Sequence, residues 1–141
     1  IKEAAKRDID PKRIIFASKL PSLKQHLARY SLGDLGLDTF NYNGHATTSD
    51  ALWSGLPVIT KTGKSFAARV SASLITTLGL TDLITHSTEE YEEKALYFAS
   101  NTEKLVSLRS KLVKLRETSV LYNSKLFTQN LEDKFREVYL K

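Results

Sequence analysis

The chain contains no cysteine and no methionine, and only 3 of its 141 residues are proline. Without cysteine it forms no disulfide, no thiolate metal site and no cysteine nucleophile. A chain that starts at Ile1 and has no methionine is predicted to be a piece of a longer protein. No apolar run approaches the ~20 residues that cross a bilayer, and no signal peptide is visible. We therefore expect a cytoplasmic protein with no membrane partner.

Charge of one sign is not concentrated in any part of the chain either. The net charge is +5, but the lysines and arginines are mixed with 16 acidic residues along the sequence. No basic run with interleaved aromatic residues, the usual pattern of a nucleic-acid surface, is present. We expect a solvated surface that attracts anionic ligands, and no nucleic-acid partner.

The chain does contain short apolar segments that alternate with helical patterns. Strands are predicted at residues 13–17, 34–38, 58–60 and 83–85. Helices are predicted between them at residues 22–31, 45–54 and 66–78, with Ser22 and Ser65 as N-caps and Gly55 and Gly79 as stops. This alternation predicts an α/β fold with a parallel sheet. We treat residues 1–141 as one domain, whose last part, about 88–141, is helical.

Apolar residues at helical spacing form two stripes in that last part. They are Leu105, Leu108, Leu112 and Leu115 in the first stripe, and Phe127, Leu131, Phe135, Val138 and Tyr139 in the second. We expect these stripes, and Trp53, to belong to the hydrophobic core.

The segment between the second and third predicted strands carries the clearest chemical signal. A small-residue turn opens there into a helix whose first turns carry an imidazole, three hydroxyls and a carboxylate: His45, Thr47, Thr48, Ser49 and Asp50. Free N–H groups and hydroxyls then meet at a helix N-terminus, where the helix dipole also favours an anion. We predict that the turn holds the diphosphate of a nucleotide-sugar. The alternative is a capped helix in which Thr47 or Thr48 bonds only to its own backbone.

Several motifs occur in an order that is familiar from one enzyme family. They are Arg13-Ile14-Ile15-Phe16, Leu20-Pro21 before His26-Leu27-Ala28-Arg29, Leu37-Asp38-Thr39, Asn43-Gly44-His45, Asp50-Ala51-Leu52-Trp53 before Gly55 and Pro57, Phe66-Ala67 before Arg69-Val70, and Leu126-Phe127. Together they closely resemble the C-terminal catalytic region of O-linked N-acetylglucosamine (O-GlcNAc) transferases. The bacterial members, which are fused to tetratricopeptide repeats, look most similar. The resemblance extends from about Arg13 to the end of the chain.

This resemblance implies a GT-B glycosyltransferase, in which two Rossmann-like domains face each other across a cleft. The chain would be most of the second domain, which holds the UDP-GlcNAc donor at the carboxyl ends of its strands. Such enzymes transfer N-acetylglucosamine to Ser or Thr of acceptor proteins with inversion and without a metal. The helix near Lys134 would pack back toward the first domain. Because that domain contacts the acceptor and the phosphate-binding lysine lies upstream, we expect weak UDP binding but no transfer by this chain alone, and we assign no catalytic residue to it.

The resemblance also implies roles for the turn and its helix. The backbone of Asn43, Gly44, His45 and Ala46, with the side chains of Thr47 and Thr48, would hold the β-phosphate, while Asp50 would accept hydrogen bonds from the ribose. The chain departs from the family at Ala46, where the family has its first threonine. Either Thr48 substitutes for it after a small shift, or one phosphate contact is lost, at a cost of about 1 kcal/mol or more.

A second group of residues would bind the uracil. By resemblance, His26 and Arg29 flank the ring, and the backbone near Leu20 and Pro21 reads its edge. The alternative is an ordinary surface pair three residues apart on a helix. Family members often place a lysine where this chain has Leu23, so a ribose contact would be missing.

A third group lies in the loop after the third predicted strand. Gly63 and Ser65 resemble the family's loop near the sugar and phosphate, and Arg69 belongs to the Phe-Ala-x-Arg motif. Arg69 has a structural alternative, in which its hydrogen bonds tie the helix to the sheet. The three histidines lack the spacing of metal ligands and no Asp-x-Asp motif is present, so we expect no metal and no cofactor.

Three functions remain open from the sequence. The first is the donor-binding half of a protein O-GlcNAc-type transferase. The others are a non-catalytic nucleotide-binding or protein-interaction module, and a GT-B transferase that uses another nucleotide-sugar. A parallel sheet that lacks its leading strands also exposes an edge, so we expect copies of the chain to self-associate.

Overall fold

Three short parallel strands lie at the centre of the structure, a computed structural model that describes residues 1–140. They are β1 (Gly36–Leu37), β2 (Val58–Lys61) and β3 (Ile84–Thr85), and their spatial order is β1-β2-β3. Gly36 pairs with Val58, and Thr60 pairs with Ile84. Each connection between neighbouring strands contains a helix, as parallel pairing requires.

The helices within the described residues surround this sheet. They are α1 (Lys2–Ala5), α2 (Leu23–Arg29), α3 (Ala46–Trp53), α4 (Val70–Thr77), α5 (Thr88–Ser100), α6 (Thr102–Thr118) and α7 (Ser124–Tyr139). Short 3₁₀ turns occur at Pro11–Arg13, Tyr30–Leu32, Thr81–Leu83 and Val120–Tyr122. The prediction of an α/β fold with a parallel sheet and flanking helices is confirmed.

The hydrophobic core joins β2 to the helices on either side of the sheet. Its fully buried members come from α3, β2, α4, the turn before β3, and α6: Leu52, Ile59, Ile75, Leu83 and Leu112. The prediction for the leucine stripe of α6 is confirmed, because Leu105 and Leu112 are buried and Leu108 and Leu115 pack against them.

The predicted strand at residues 13–17 is wrong. The chain makes a 3₁₀ turn at Pro11–Arg13 and then runs without a strand partner within the described residues. Ile15 and Phe16 are 86% and 73% exposed. A strand needs a neighbour to satisfy its backbone N–H and C=O groups, and an apolar β-branched sequence does not supply one.

The helix predicted at residues 66–78 begins later, at Val70. Ser65 does act as a cap, but its hydroxyl accepts a hydrogen bond from the amide of Ala68 (3.2 Å) within a tight turn, not at the start of α4. The amide of Gly63 donates to the carbonyl of Ala68 at 2.8 Å and closes this turn into a loop. Residues 63–68 therefore form a closed loop of their own before the helix starts.

Two other predictions about the core are also wrong. Trp53 is partly exposed, and its ring packs at 4.9 Å against Tyr122 and near the guanidinium of Arg116. Helix α7 forms with its N-cap at Asn123, but it has no buried residue, and Phe127 and Phe135 of its apolar stripe are exposed. Periodicity identified the helix correctly, but it did not show whether another element covers its apolar face.

Candidate functional site

The amino end of α3 is open at the position where the sequence predicts a phosphate site. His45 is the N-cap residue, and no side chain caps the helix. The amides of Ala46, Thr47 and Thr48 donate to no group within residues 1–140. These donors point along the helix axis, where the helix dipole adds partial positive charge.

Gly44 leaves a space beside this helix end in which polar groups converge. A Cβ atom at position 44 would lie 2.8 Å from Thr47 Oγ1 and 3.3 Å from the Thr48 amide nitrogen, and closer still to Thr48 Oγ1. No such atom fits, so only glycine keeps the space free. We call residues 43–48 the Gly44 turn.

The hydroxyl of Thr48 is occupied within the protein. Ser71, which is fully buried on α4, donates its hydroxyl hydrogen to the carbonyl of Gly44 at 2.8 Å. The 2.9 Å bond between the Thr48 and Ser71 hydroxyls must then use the hydrogen of Thr48. A phosphate oxygen only accepts hydrogen bonds, so Thr48 can offer it the backbone amide but not the hydroxyl. The Thr48 hydroxyl is therefore not free to make the contact that a threonine at position 46 would make.

The side chains of Ala46 and Thr47 are exposed at the same helix end. Thr47 has no side-chain hydrogen bond within the described residues, so its hydroxyl is free to donate to a ligand. Ala46 presents a methyl group and no donor. The helix end thus combines several backbone amides with one free hydroxyl.

A cavity of about 230 Å³ opens beside the Gly44 turn. It is lined by residues from α2's end, β1 and α3, among them Tyr30, Asp38, Gly44, Thr47 and Thr48. A larger, mostly apolar cavity of about 660 Å³ lies elsewhere, between β1 and helices α5 and α6. We place the site at the smaller cavity because only this one contains the free donors.

His26 and Arg29 meet on α2 and connect to the cavity through Tyr30. The guanidinium of Arg29 donates to His26 Nδ1 (3.2 Å) and to the carbonyl of Ser18 (2.7 Å), just before Leu20 and Pro21. Arginine has no acceptor, so Nδ1 of His26 accepts and the ring proton lies on Nε2. Nε2 then donates to the hydroxyl of Tyr30 at 3.4 Å.

Asp50 lies on the face of α3 that Tyr30 and Tyr122 approach. Burial, and then the charge of Asp50, raise the pKa of Tyr30. The same two causes raise the pKa of Tyr122 to about 12. The carboxylate accepts no side-chain hydrogen bond within residues 1–140, so it remains available to donors of a ligand.

The loop after β2 lies against the Gly44 turn. The amide of Asn43 donates to the carbonyl of Ala67 at 2.9 Å, and the ring of Phe66 contacts that of His45 with centroids 6.0 Å apart. Gly63 is required there, since a Cβ atom would lie 2.7 Å from Ala68 Cβ. The loop thus has a clear packing role beside the site.

The structural alternative for Arg69 is wrong. Its side chain is exposed and makes no hydrogen bond or ion pair within the described residues, so it does not tie α4 to the sheet. Arg69 instead borders a shallow cavity with Phe66 and Ser73.

Sequence reasoning missed Asp38, which follows β1 directly. Its Oδ1 accepts from the amides of Gly44 (2.7 Å) and Thr39 (2.9 Å), and its Oδ2 accepts from the hydroxyl of Thr60 (2.7 Å). Burial, and then the charge of Asp38, raise the pKa of Tyr91 to about 12, and the Tyr91 hydroxyl donates to the Asp38 carbonyl at 3.0 Å. The position of Asp38 at the end of a predicted strand is the signal by which the sequence could have identified it as a candidate site residue.

Two further features of residues 1–140 concern metals and membranes. Within this part of the chain, no three His, Cys, Asp or Glu side chains gather closely enough to hold a metal ion. No helix in it combines the length and the apolar character needed to span a membrane.

The chain is similar in sequence to several known proteins. The chain is 37% identical over 131 residues to a probable UDP-N-acetylglucosamine–peptide N-acetylglucosaminyltransferase SPINDLY of Petunia hybrida, covering 93% of this chain and 14% of that protein. It is 34% identical over 132 residues to the UDP-N-acetylglucosamine–peptide N-acetylglucosaminyltransferase of Caenorhabditis elegans, covering 94% of this chain and 11% of that protein. The chain therefore spans only a small part of the length of these relatives.

A solved structure and a family model agree with these relatives. A mutant O-GlcNAc transferase of Thermobaculum terrenum superposes with a TM-score of 0.85 and 32% identity, over 96% of this chain and 26% of that one. The likeness confirms the prediction of a Rossmann-like part of a GT-B glycosyltransferase. The model of glycosyl transferase family 41 matches residues 1–131. The chain belongs to glycosyl transferase family 41, and the resemblance to the catalytic region of O-GlcNAc transferases is confirmed.

Proposed function

We propose that the chain is the UDP-GlcNAc-binding part of a glycosyltransferase that transfers N-acetylglucosamine, with inversion, to Ser or Thr residues of proteins. The observation that carries this proposal is the open amino end of α3. Unpaired amides and the free hydroxyl of Thr47 border the space that Gly44 leaves. The names of the relatives, UDP-N-acetylglucosamine–peptide N-acetylglucosaminyltransferases, support the choice of donor and acceptor.

The geometry suits a diphosphate leaving group. Negative charge grows on the β-phosphate oxygens as the bond from the sugar to the diphosphate breaks, and fixed donors stabilise that charge best when they need not reorganise. The amides at the end of α3 are fixed by the helix, and the Gly44 carbonyl is held by Ser71. We assign the diphosphate to the Gly44 turn and the ribose hydroxyls to Asp50.

The uridine base belongs on the side of the cavity where α2 ends. Tyr30 lines the cavity and bonds to His26, and Arg29 fixes His26 from its other nitrogen. This chain of bonds holds the imidazole and the guanidinium side by side. We propose that the base packs against this pair and that the backbone near Leu20 and Pro21 contacts its edge.

The loop that contains Gly63, Ser65 and Arg69 is assigned to the sugar side of the site. It contacts the Gly44 turn through the hydrogen bond from Asn43 to Ala67 and the ring contact between His45 and Phe66. Arg69 has no protein partner within residues 1–140 and so can contact an anionic or hydroxylated ligand. No metal ion or cofactor is needed in this proposal, because the charge of the leaving group meets backbone amides and the hydroxyl of Thr47.

Titration of UDP, UDP-GlcNAc and GDP against the chain tests donor binding. Amide resonances of Gly44 to Asp50 and of His26 should shift with the uridine nucleotides and much less with GDP. No response to millimolar UDP would contradict the proposal and favour a module without nucleotide binding. A stronger response to GDP would favour a transferase that uses another nucleotide-sugar.

Transfer itself is tested on the full-length parent protein, with labelled UDP-GlcNAc and candidate acceptor proteins. Asp50→Ala should strongly reduce transfer because the ribose contact is lost. Asp34→Ala is a matched control, since Asp34 is an exposed carboxylate that does not line the cavity beside the Gly44 turn. Undiminished transfer by Asp50→Ala would show that the site assignment is wrong.

A further inference from the structure

We propose that Asp38 and Thr60 are positioning residues that set the orientation of the Gly44 turn, an inference that rests on the donor-binding function proposed above. Neither residue belongs to the ligand-contacting set assigned so far. Asp38 joins three donors with one carboxylate: the amides of Gly44 and Thr39 and the hydroxyl of Thr60. It thereby connects the end of β1, the Gly44 turn and β2.

The peptide groups on both sides of Gly44 are held in fixed directions. Its amide donates to Asp38 Oδ1 at 2.7 Å, and its carbonyl accepts from Ser71 Oγ at 2.8 Å. A glycine has no side chain to restrict its backbone, so these two bonds fix a residue that is otherwise the most flexible type. The direction of the amides that follow, from His45 to Thr48, depends on this residue.

Thr60 anchors the carboxylate to the sheet. It is fully buried on β2, and its hydroxyl donates to Asp38 Oδ2 at 2.7 Å. Without this bond, the carboxylate group can rotate about its bond to Cβ, and Oδ1 loses its fixed position under the Gly44 amide. Hydrogen bonds to a charged acceptor are among the stronger ones in proteins, so the bond from Thr60 restrains Asp38 effectively.

The charge of Asp38 makes the carboxylate itself a poor place to test this role. A negative group beside an anion site repels the anion, so a neutral residue at position 38 would change both the turn and the electrostatic potential. A substitution at Thr60 leaves the charge of Asp38 in place and removes only the anchor. Any change in affinity then reports the position of the turn.

Thr60→Val is nearly isosteric and has a matched control on the neighbouring strand. Thr85 is also fully buried, and its hydroxyl donates to the carbonyl of Thr60 at 3.0 Å, not to Asp38. Thr85→Val therefore removes a comparable buried hydrogen bond without touching the carboxylate. Thr60→Ser keeps the hydroxyl and loses only a methyl group, so it serves as the rescue variant.

The experiment measures UDP affinity, hydrogen exchange of the Gly44 amide without nucleotide, and unfolding in urea for each variant. Relative to Thr85→Val, we expect Thr60→Val to bind UDP about tenfold more weakly and to exchange the Gly44 amide about tenfold faster. A change of about tenfold is what the loss of one buried hydrogen bond produces. Both variants should lose similar stability in urea. Thr60→Ser should bind UDP and exchange Gly44 like the wild type.

The outcomes separate this inference from the proposed function. If the wild type binds UDP, and Thr60→Val matches Thr85→Val in affinity and in Gly44 exchange, the positioning role is overturned while donor binding stands. If the wild type does not bind UDP, the proposed function fails. Gly44 exchange then still decides whether Thr60 and Asp38 hold the turn.

Discussion

Gly44→Ala directly tests the space beside the helix end. The new methyl group would lie 2.8 Å from Thr47 Oγ1 and would also meet Thr48 Oγ1. Thr47 is exposed and can rotate away, but Thr48 is buried and bonded to Ser71, so it cannot move without breaking that bond. Either the turn shifts, or the methyl group occupies the space that we assign to a phosphate oxygen.

The size of the effect follows from these contacts. Overpacking of this kind costs about 1–3 kcal/mol of folding stability. If the methyl group displaces one phosphate oxygen from its donors, about 2 kcal/mol of binding is lost, which corresponds to about a 30-fold weaker affinity for UDP. We therefore expect the variant to fold, to unfold at lower urea concentration, and to bind UDP very weakly.

Isothermal titration with UDP and urea unfolding followed by circular dichroism measure the two effects separately. Gly33→Ala is the matched control, because its methyl group would meet Leu56 Cδ1 only at 3.4 Å and Gly33 has an ordinary φ of −90°. The control should bind UDP like the wild type. If Gly44→Ala binds UDP as tightly as Gly33→Ala does, the phosphate does not lie beside Gly44 and the reasoning is refuted.

Three further predictions concern the helix end, the alkaline stability and the exposed surfaces. Ala46→Thr should strengthen UDP binding about fivefold by adding a donor at an exposed position, which titration measures; unchanged affinity would show that no phosphate oxygen lies within reach. Tyr122 has a pKa of about 12 in the folded chain against 10.0 ordinarily, so its ionisation leaves the unfolding free energy unchanged below pH 10 and lowers it as the pH rises toward 12. The Tyr122→Phe variant should therefore lose less unfolding free energy than the wild type as the pH rises above 10. It should be as stable as the wild type at pH 7, since the hydroxyl has no partner within residues 1–140; an equally steep loss at alkaline pH would contradict this. Leu37 on the outer edge of β1 and Phe135 on α7 are exposed, so copies of the chain should associate as concentration rises, and Leu37→Lys should reduce this on size-exclusion chromatography. A strictly monomeric wild type at high concentration would count against it.

Helix caps and stops were predicted well from residues that are close together in the sequence. Ser22 caps α2 by accepting from the amide of Gln25 at 3.3 Å, as predicted. Gly55 and Gly79, with φ of 84° and 65°, follow α3 and α4, where a side chain would strain the backbone. Such caps and stops depend on residues a few positions apart, so the sequence contains all the information they need.

The Gly44 turn, with its open helix end, was predictable for the same reason. Its amides and its hydroxyl come from one continuous segment at the start of α3. The order of motifs along the chain also indicated the family correctly. The segment did not show which of these groups are bonded within the protein and which are free, because the bonding partners lie elsewhere in the chain.

Only the tertiary structure decided which donors stay free and which surfaces are covered. The pairing of Thr48 with Ser71 joins residues 23 positions apart, and Asp38 meets Thr60 across 22 positions. The apolar segment at residues 13–17 forms no strand, because a strand depends on a neighbour to pair with. The sequence by itself determined the cap of α2, the glycine stops after α3 and α4, and the open turn, since short-range sterics and hydrogen bonds set them. Packing between distant segments determined which hydroxyl can meet a ligand and which carboxylate holds the turn.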